Sequence, residues 1–152
     1  MEMEQLTVSL FGHRHISKVF TIEKQLDDLV TELLRREEYV EFLIGRDGDF
    51  DLLAASVVRR CQKHIRADNS ALVLVLPYKR AETDSLASYY DEVILCSLSE
   101  KAHFKAAHQA RNRYMLERSD LAVFYVERQE GGAWQSLCHA RKAGIPLIIL
   151  GK

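Results

Sequence analysis

Short apolar runs alternate along the chain with longer segments in which apolar residues recur at helical spacing. The runs predict six strands, at residues 6–11, 39–44, 71–76, 92–95, 121–126 and 146–150. The periodic segments predict helices at about residues 20–37, 101–116 and 133–143, and a further helix is marked by Ala54, Val57, Val58, Cys61 and Ile65. The polar segment 78–90 fits either a loop or a short helix.

This alternation of strands and helices predicts an α/β fold with three layers. The segment 71–76 is apolar throughout, which is typical of a parallel strand covered on both faces. With two prolines and seven glycines, the chain has no segment with the composition of an interdomain linker. We therefore expect a single Rossmann-like domain over residues 1–152, with a mainly parallel central sheet and helices on both faces.

Charge and composition narrow the choice of partners. The 21 basic and 22 acidic residues give a net charge of −1, so no field of the whole molecule favours nucleic acid or an anionic membrane, and we expect neither as a partner. Three widely spaced cysteines without a CxxC pair predict no zinc site, so we expect no metal and no cofactor. The acidic first residues are unlike a signal peptide, which predicts a cytoplasmic protein; a homo-oligomer stays open.

Glycines mark the places where a ligand would approach the backbone. Ligands of open parallel sheets bind beyond the carboxyl ends of the strands. Five of the seven glycines follow predicted strands, namely Gly12, Gly45, Gly48, Gly131 and Gly132. A helix beginning after Gly132 would offer unpaired N–H groups to an anion. We expect a pocket between segments 12–14, 45–51 and 131–134 and Arg111.

Arg111 is a charged residue on a helix face that otherwise points inward. The predicted stripe comprises Phe104, His108, Arg111 and Met115. Burying an unpaired charge is costly, so Arg111 must meet an anionic ligand or a carboxylate of the protein, for which Asp51 and Asp120 are the alternatives. Asp51 likewise continues the buried stripe of its helix. It serves either the ligand or the helix N-terminus, where Asp49 is the better-placed cap.

These residues together resemble the SLOG superfamily, which includes the LOG phosphoribohydrolases, the DNA-processing protein DprA and small stand-alone bacterial proteins. The similar motifs are Gly12-x-Arg14, Gly45 through Ala54, Arg111-Asn112-x-x-Met115 with Ser119-Asp120, and Gly131-Gly132. The resemblance implies a Rossmann-like fold that binds a nucleotide, an ADP-ribose-like compound or nucleic acid. The ligand-binding residues we expect are Gly12, Arg14, Gly45, Asp47, Asp51, Arg111, Asn112, Asp120, Gly131, Gly132 and Trp134, the last stacking on a base or buried in the core.

The chain departs from LOG enzymes at the position of their catalytic glutamate, where Cys138 stands. Cleavage of an N-glycosidic bond needs a carboxylate, which a thiol does not replace. We therefore expect a sensor or carrier that binds a nucleotide-derived molecule with little or no turnover. The alternatives are a nucleoside or nucleotide N-glycosidase, or a deoxyribosyltransferase-like enzyme, with Asp51 in place of the glutamate, and an interaction scaffold in cell division or stress response.

Overall fold

The computed structural model describes residues 3–96 and 104–151, which form one six-stranded parallel sheet with helices on both faces. The strand order is β4-β3-β2-β1-β5-β6. The elements are β1 (Gln5–Gly12), α1 (Val19–Arg36), β2 (Tyr39–Ile44), α2 (Asp49–His64), β3 (Ser70–Leu76), α3 (Thr83–Leu86), β4 (Glu92–Leu95), α4 (Phe104–Arg118), β5 (Leu121–Tyr125), α5 (Gly131–Ala143) and β6 (Leu147–Ile149). The predicted α/β fold with three layers is confirmed.

Each face of the sheet carries its own hydrophobic core. One core packs α1 and α2 against the sheet, and α1 contributes the stripe Ile22, Leu26, Val30, Leu33 and Leu34. The other core packs α4 and α5 against the opposite face, around Phe11, Met115 and Phe124. The central strands are buried on both sides, which explains the unbroken apolar run of β3.

The structure corrects several predicted boundaries. Helix α2 ends at His64 so that Ile65 lies beyond it, and β6 spans only three residues. The segment 78–90, for which a loop and a short helix were both left open, contains the short helix α3. The predicted start of α4 at residues 101–103 lies outside the described part of the chain. Phe104, which the stripe placed inward, is 56% exposed. No helix among the described residues is long and apolar enough to cross a membrane.

β1 lies between β2 and β5, and this position creates a crevice. The chain leaves β1 toward β2 on one side and leaves β5 toward β6 on the other, so the loops that follow β1 and β5 diverge. Such a switch in strand order is where open parallel sheets bind their ligands. The fold therefore places a crevice beside Gly12, the last residue of β1.

Candidate functional site

A cavity of about 600 Å³ opens at the carboxyl ends of β1, β2 and β5, under the first half of α4. Nine of the eleven residues expected from the sequence line it, namely Gly12, Arg14, Gly45, Asp47, Asp51, Arg111, Asn112, Gly131 and Gly132. A volume of this size is within the range of small-molecule and cofactor sites.

The other two expected residues, Asp120 and Trp134, do not line the cavity. Asp120 immediately precedes β5, at the opposite edge of the sheet. There its Oδ2 accepts the N–H of Thr7 at 2.8 Å, and its own N–H donates to the carbonyl of Thr7 at 2.8 Å. Trp134 is half-buried and packs against the core beneath α5. Asp120 therefore aligns two strands, and Trp134 contributes to packing.

Arg111 is 4% exposed, and its positive charge is paired with a carboxylate of the protein. That carboxylate belongs to Asp47, which accepts a hydrogen bond from Nη2, and not to Asp51 or Asp120. Nη1 donates to the carbonyl of Val75 at 3.2 Å. Three of the five N–H donors of the guanidinium thus have partners, counting the bond from Nε to Asn112.

Asp47 faces three basic side chains. Besides Arg111, Nη2 of Arg80 lies 3.4 Å from its Oδ1, and Nε2 of His108 lies 3.5 Å from the same oxygen. Burial alone raises the pKa of Asp47, but Arg111, His108 and Arg80 together hold that pKa below its ordinary value. Asp47 is therefore ionised at neutral pH.

Asp51 has the opposite environment on the same wall of the cavity. Burial raises its pKa to about 6, and the negative charge of Asp47 adds to the rise against the opposing effects of the Asp47 N–H, Arg111 and Arg14. Oδ2 of Asp51 accepts the backbone N–H of Asp47 at 2.9 Å. Asp49, which the sequence favoured as the cap of α2, makes no capping bond; the N-cap position is Gly48.

Three of the strand-end glycines are required by contacts inside the protein. A Cβ on Gly12 would lie 2.2 Å from the ring of Phe50, and one on Gly48 would lie 2.5 Å from the backbone of Arg14. A Cβ on Gly45 would lie 2.7 Å from Nη1 of Arg111 and 3.2 Å from Oδ2 of Asp51. The two charged side chains that the sequence placed in one pocket therefore meet at Gly45.

The backbone at the other two strand-end glycines borders open space. Gly131 and Gly132 form the first turn of α5, and no side chain caps this N-terminus. Gly131 has a φ of 89°, which favours glycine, and nothing lies within 4 Å of a Cβ built there. A Cβ on Gly132 would meet only Nδ2 of Asn112, at 3.5 Å. The first turn of α5 is therefore accessible from the cavity.

The side chain of Asn112 is oriented by its neighbour. Nε of Arg111 donates to Oδ1 of Asn112 at 2.8 Å, so the amide oxygen is held by the guanidinium. The amide nitrogen Nδ2 is then the atom that faces Gly132. Its two N–H donors lie beside the uncapped backbone N–H groups of α5, an arrangement suited to an oxyanion.

His13 lies in the segment 12–14 that the sequence placed at the pocket, but its role there was not predicted; it is 6% exposed and lines the cavity. Its Nε2 accepts the backbone N–H groups of Glu127 at 3.0 Å and Arg128 at 3.2 Å, and so it fixes the loop between β5 and α5. Burial and the charge of Arg128 lower its pKa. The neutral ring therefore carries its proton on Nδ1. No pattern in the sequence indicates this contact, because it joins segments more than a hundred residues apart.

Positive charge exceeds negative charge around the cavity. The permanently cationic side chains in its lining are Arg14, Lys105, Arg111 and Arg128, against the carboxyl groups of Asp47, Asp51 and Glu130. Among the described residues, no group of three or more His, Cys, Asp or Glu is arranged to hold a metal ion. Cys138, which the resemblance to LOG enzymes places at their catalytic glutamate, is exposed on α5 and does not line the cavity.

Comparison with solved structures shows a shared fold at low sequence identity. DNA processing protein A from Helicobacter pylori, described with a single-stranded DNA binding mode, matches with a TM-score of 0.71 and 17% identity over 97% of this chain and 66% of that chain. DNA processing protein A (DprA) from Streptococcus pneumoniae has a TM-score of 0.71 and 17% identity over 95% and 50%. The Moco carrier protein of Chlamydomonas rheinhardtii has a TM-score of 0.58 and 15% identity over 97% and 77%.

The present chain thus spans half to two thirds of the length of the two DNA processing proteins. No family model matches the sequence, and no curated protein matches it. The likeness establishes a Rossmann-like fold related to that of DprA and of a carrier protein.

Proposed function

We propose that this protein binds a small, phosphate-bearing nucleotide derivative in the cavity, as a sensor or carrier. The observation that carries the proposal is the uncapped first turn of α5, which opens into the cavity at Gly132 with Nδ2 of Asn112 beside it. Backbone N–H groups, the positive end of the helix dipole and an amide donor converge there. All three stabilise a phosphate group.

The charge pattern supports an anionic ligand of moderate size. Arg111 is neutralised by Asp47, and Nε of Arg128 lies 3.4 Å from Oε1 of Glu130, which leaves Arg14 and Lys105 as the lining cations without an ion pair among the described residues. The structural neighbours agree in part, since one is a carrier protein and another binds single-stranded DNA. The moderate volume of the cavity and the small net charge of this chain favour a small molecule over a polymer.

Calorimetric titration tests the proposal. The probes are AMP, ribose 5-phosphate and a single-stranded oligonucleotide, each titrated into the wild type and into Asn112→Asp. The substitution replaces an amide donor by a carboxylate next to the phosphate, so we expect affinity for AMP and ribose 5-phosphate to fall by at least about tenfold.

Gln129→Glu is the matched control, because it adds the same charge in the neighbouring loop at a residue outside the cavity lining. It should change affinity by less than about threefold. Binding of the oligonucleotide without AMP or ribose 5-phosphate would refute the small-molecule function. Equal affinity of wild type and Asn112→Asp for AMP and ribose 5-phosphate would show that the phosphate does not lie at the first turn of α5.

A second candidate function is slow hydrolysis of the N-glycosidic bond, and Asp51 is the observation that favours it. It is a buried carboxyl group on the cavity wall with a pKa raised to about 6, within the range of groups that exchange protons near neutral pH. Release of ribose 5-phosphate from AMP tests this function. Turnover near ~10 s⁻¹ would make the protein an ordinary enzyme. Any weak turnover should disappear in Asp51→Asn.

A further inference from the structure

Phe104 is a large aromatic side chain left open on the wall of the cavity. It is 56% exposed and belongs to the cavity lining. An exposed phenylalanine is unfavourable in water, because its apolar surface stays hydrated. Phe20, at the start of α1, is also exposed, but it lies outside the cavity lining.

The ring of Phe104 is supported from within the protein. Its centroid lies 4.2 Å from that of His108, which lies in turn 6.0 Å from the ring of Tyr78. His108 is held on both sides, since Nδ1 lies 2.8 Å from the carbonyl of Phe104 and Nε2 lies 3.5 Å from Oδ1 of Asp47. The aromatic group is thus backed by side chains that are themselves fixed, as a stacking surface requires.

We propose that Phe104 stacks on a planar heteroaromatic ring of the ligand, so that the cavity takes a nucleotide with its base and not a sugar phosphate alone. This inference rests on the proposed function, which places the phosphate at α5. Stacking on an aromatic side chain uses the π face that every nucleobase has, so it gives affinity with little discrimination among bases.

The spacing along α4 fits a ligand with two ends. Phe104 and Asn112 are eight residues apart on α4, which corresponds to about 12 Å along the helix axis. Both side chains line the same cavity, one at the first residue of α4 and the other beside Gly132. A nucleotide reaches from one to the other with its sugar between them. A ligand with phosphate and sugar only would leave Phe104 uncovered.

The test compares AMP, ribose 5-phosphate and adenosine in three variants, Phe104→Ala, Phe104→Trp and the control Phe20→Ala. Phe104→Ala should weaken AMP and adenosine by about 5- to 150-fold and leave ribose 5-phosphate unchanged. Phe104→Trp should retain AMP. The control removes the same ring from another exposed position, so it should leave all three affinities unchanged.

The outcomes separate this inference from the proposed function. If Phe104→Ala leaves AMP unchanged, or weakens AMP and ribose 5-phosphate equally, the stacking role is wrong while phosphate binding stands. If adenosine binds in a Phe104-dependent manner and neither phosphate compound binds better than adenosine, the stacking role stands and the phosphate site is wrong. Absence of binding by AMP, adenosine and ribose 5-phosphate to the wild type overturns both.

Discussion

Arg111 donates a hydrogen bond to the carboxylate of Asp47, and this pair joins α4 to the loop that follows β2. The guanidinium is 4% exposed, so its charge is desolvated and depends on that partner. Through Nε the same group orients Asn112 beside α5. Under the proposed function we therefore expect Arg111 to be a positioning residue, whose effect on a ligand is exerted through Asn112.

Arg111→Ala should destabilise the fold. Removing one member of a buried ion pair leaves the other charge without its main partner, at a cost of about 3–5 kcal/mol. We expect the lower part of that range, because Arg80 and His108 still face Asp47. Urea denaturation of wild type and variant at neutral pH measures the difference in the free energy of unfolding.

A double-mutant cycle with Asp47→Asn provides the control. If the two side chains interact directly, the double variant should be more stable than the sum of the two single losses predicts, by at least about 1 kcal/mol. Additive losses would show that Arg111 stabilises the protein by packing alone. Arg111→Lys, which keeps the charge and loses the planar group, should also release Asn112 and weaken AMP binding.

Asp51 should make stability depend on pH in an unusual direction. Its pKa in the folded protein, about 6, lies above its value in the unfolded chain, so the folded state binds the proton more tightly. Its contribution to stability is fully present below about pH 4 and is lost as the pH rises through 6. The loss is on the order of 3 kcal/mol.

Asp51→Asn isolates this contribution from the other carboxyl groups. The amide keeps an oxygen that accepts the N–H of Asp47 and carries no charge to desolvate. In urea denaturation, the free energy of unfolding of the variant should equal that of the wild type at about pH 4.5 and exceed it at about pH 7.5. If the variant is less stable than the wild type at the higher pH, the ionised carboxylate stabilises the fold and the predicted direction of the pH dependence is wrong.

The sequence predicted the fold well because its signals are local. The unbroken apolar run of β3 and the repeating stripe of α1 each depend on neighbouring residues. The short helix α3 was left open because a polar segment of four helical residues has no recognisable period. The exposure of Phe104 was missed because helical spacing gives the face of a residue but not where the underlying sheet ends.

The candidate site was predicted in outline, since strand-end glycines of a parallel sheet lie at one edge. Partners within the site were not predicted. Asp47, expected as a ligand-binding residue, lines the cavity and is also the partner of Arg111, a pairing that depends on how α4 lies over the loop after β2. Asp120 was placed in the pocket by its motif, but it precedes its strand, and the amino end of a strand lies at the far edge of the sheet.

His13→Ala should loosen the loop between β5 and α5. The backbone N–H groups of Glu127 and Arg128 would lose their acceptor, and because both residues are exposed, water should replace part of it. We expect a loss of about 1–2 kcal/mol and faster amide hydrogen exchange in this loop. His15→Ala is the matched control, since His15 is exposed and its replacement should leave stability and loop exchange unchanged. Equal exchange in both variants would show that His13 does not fix the loop.

Gly132→Ala separates ligand binding from folding. The new Cβ would meet only Nδ2 of Asn112, at 3.5 Å, so the fold should accept it, and alanine should stabilise α5 by up to about 1 kcal/mol. The methyl group would occupy the space in which a phosphate approaches the backbone, so AMP affinity should fall by at least about tenfold.

Gly131→Ala provides the contrast, because its φ of 89° strains alanine while nothing lies within 4 Å of the Cβ. Thermal unfolding and calorimetric titration of both variants should therefore give a stable protein with weak binding for Gly132→Ala and a less stable one for Gly131→Ala. If Gly132→Ala binds AMP as tightly as the wild type, the phosphate does not lie on the first turn of α5.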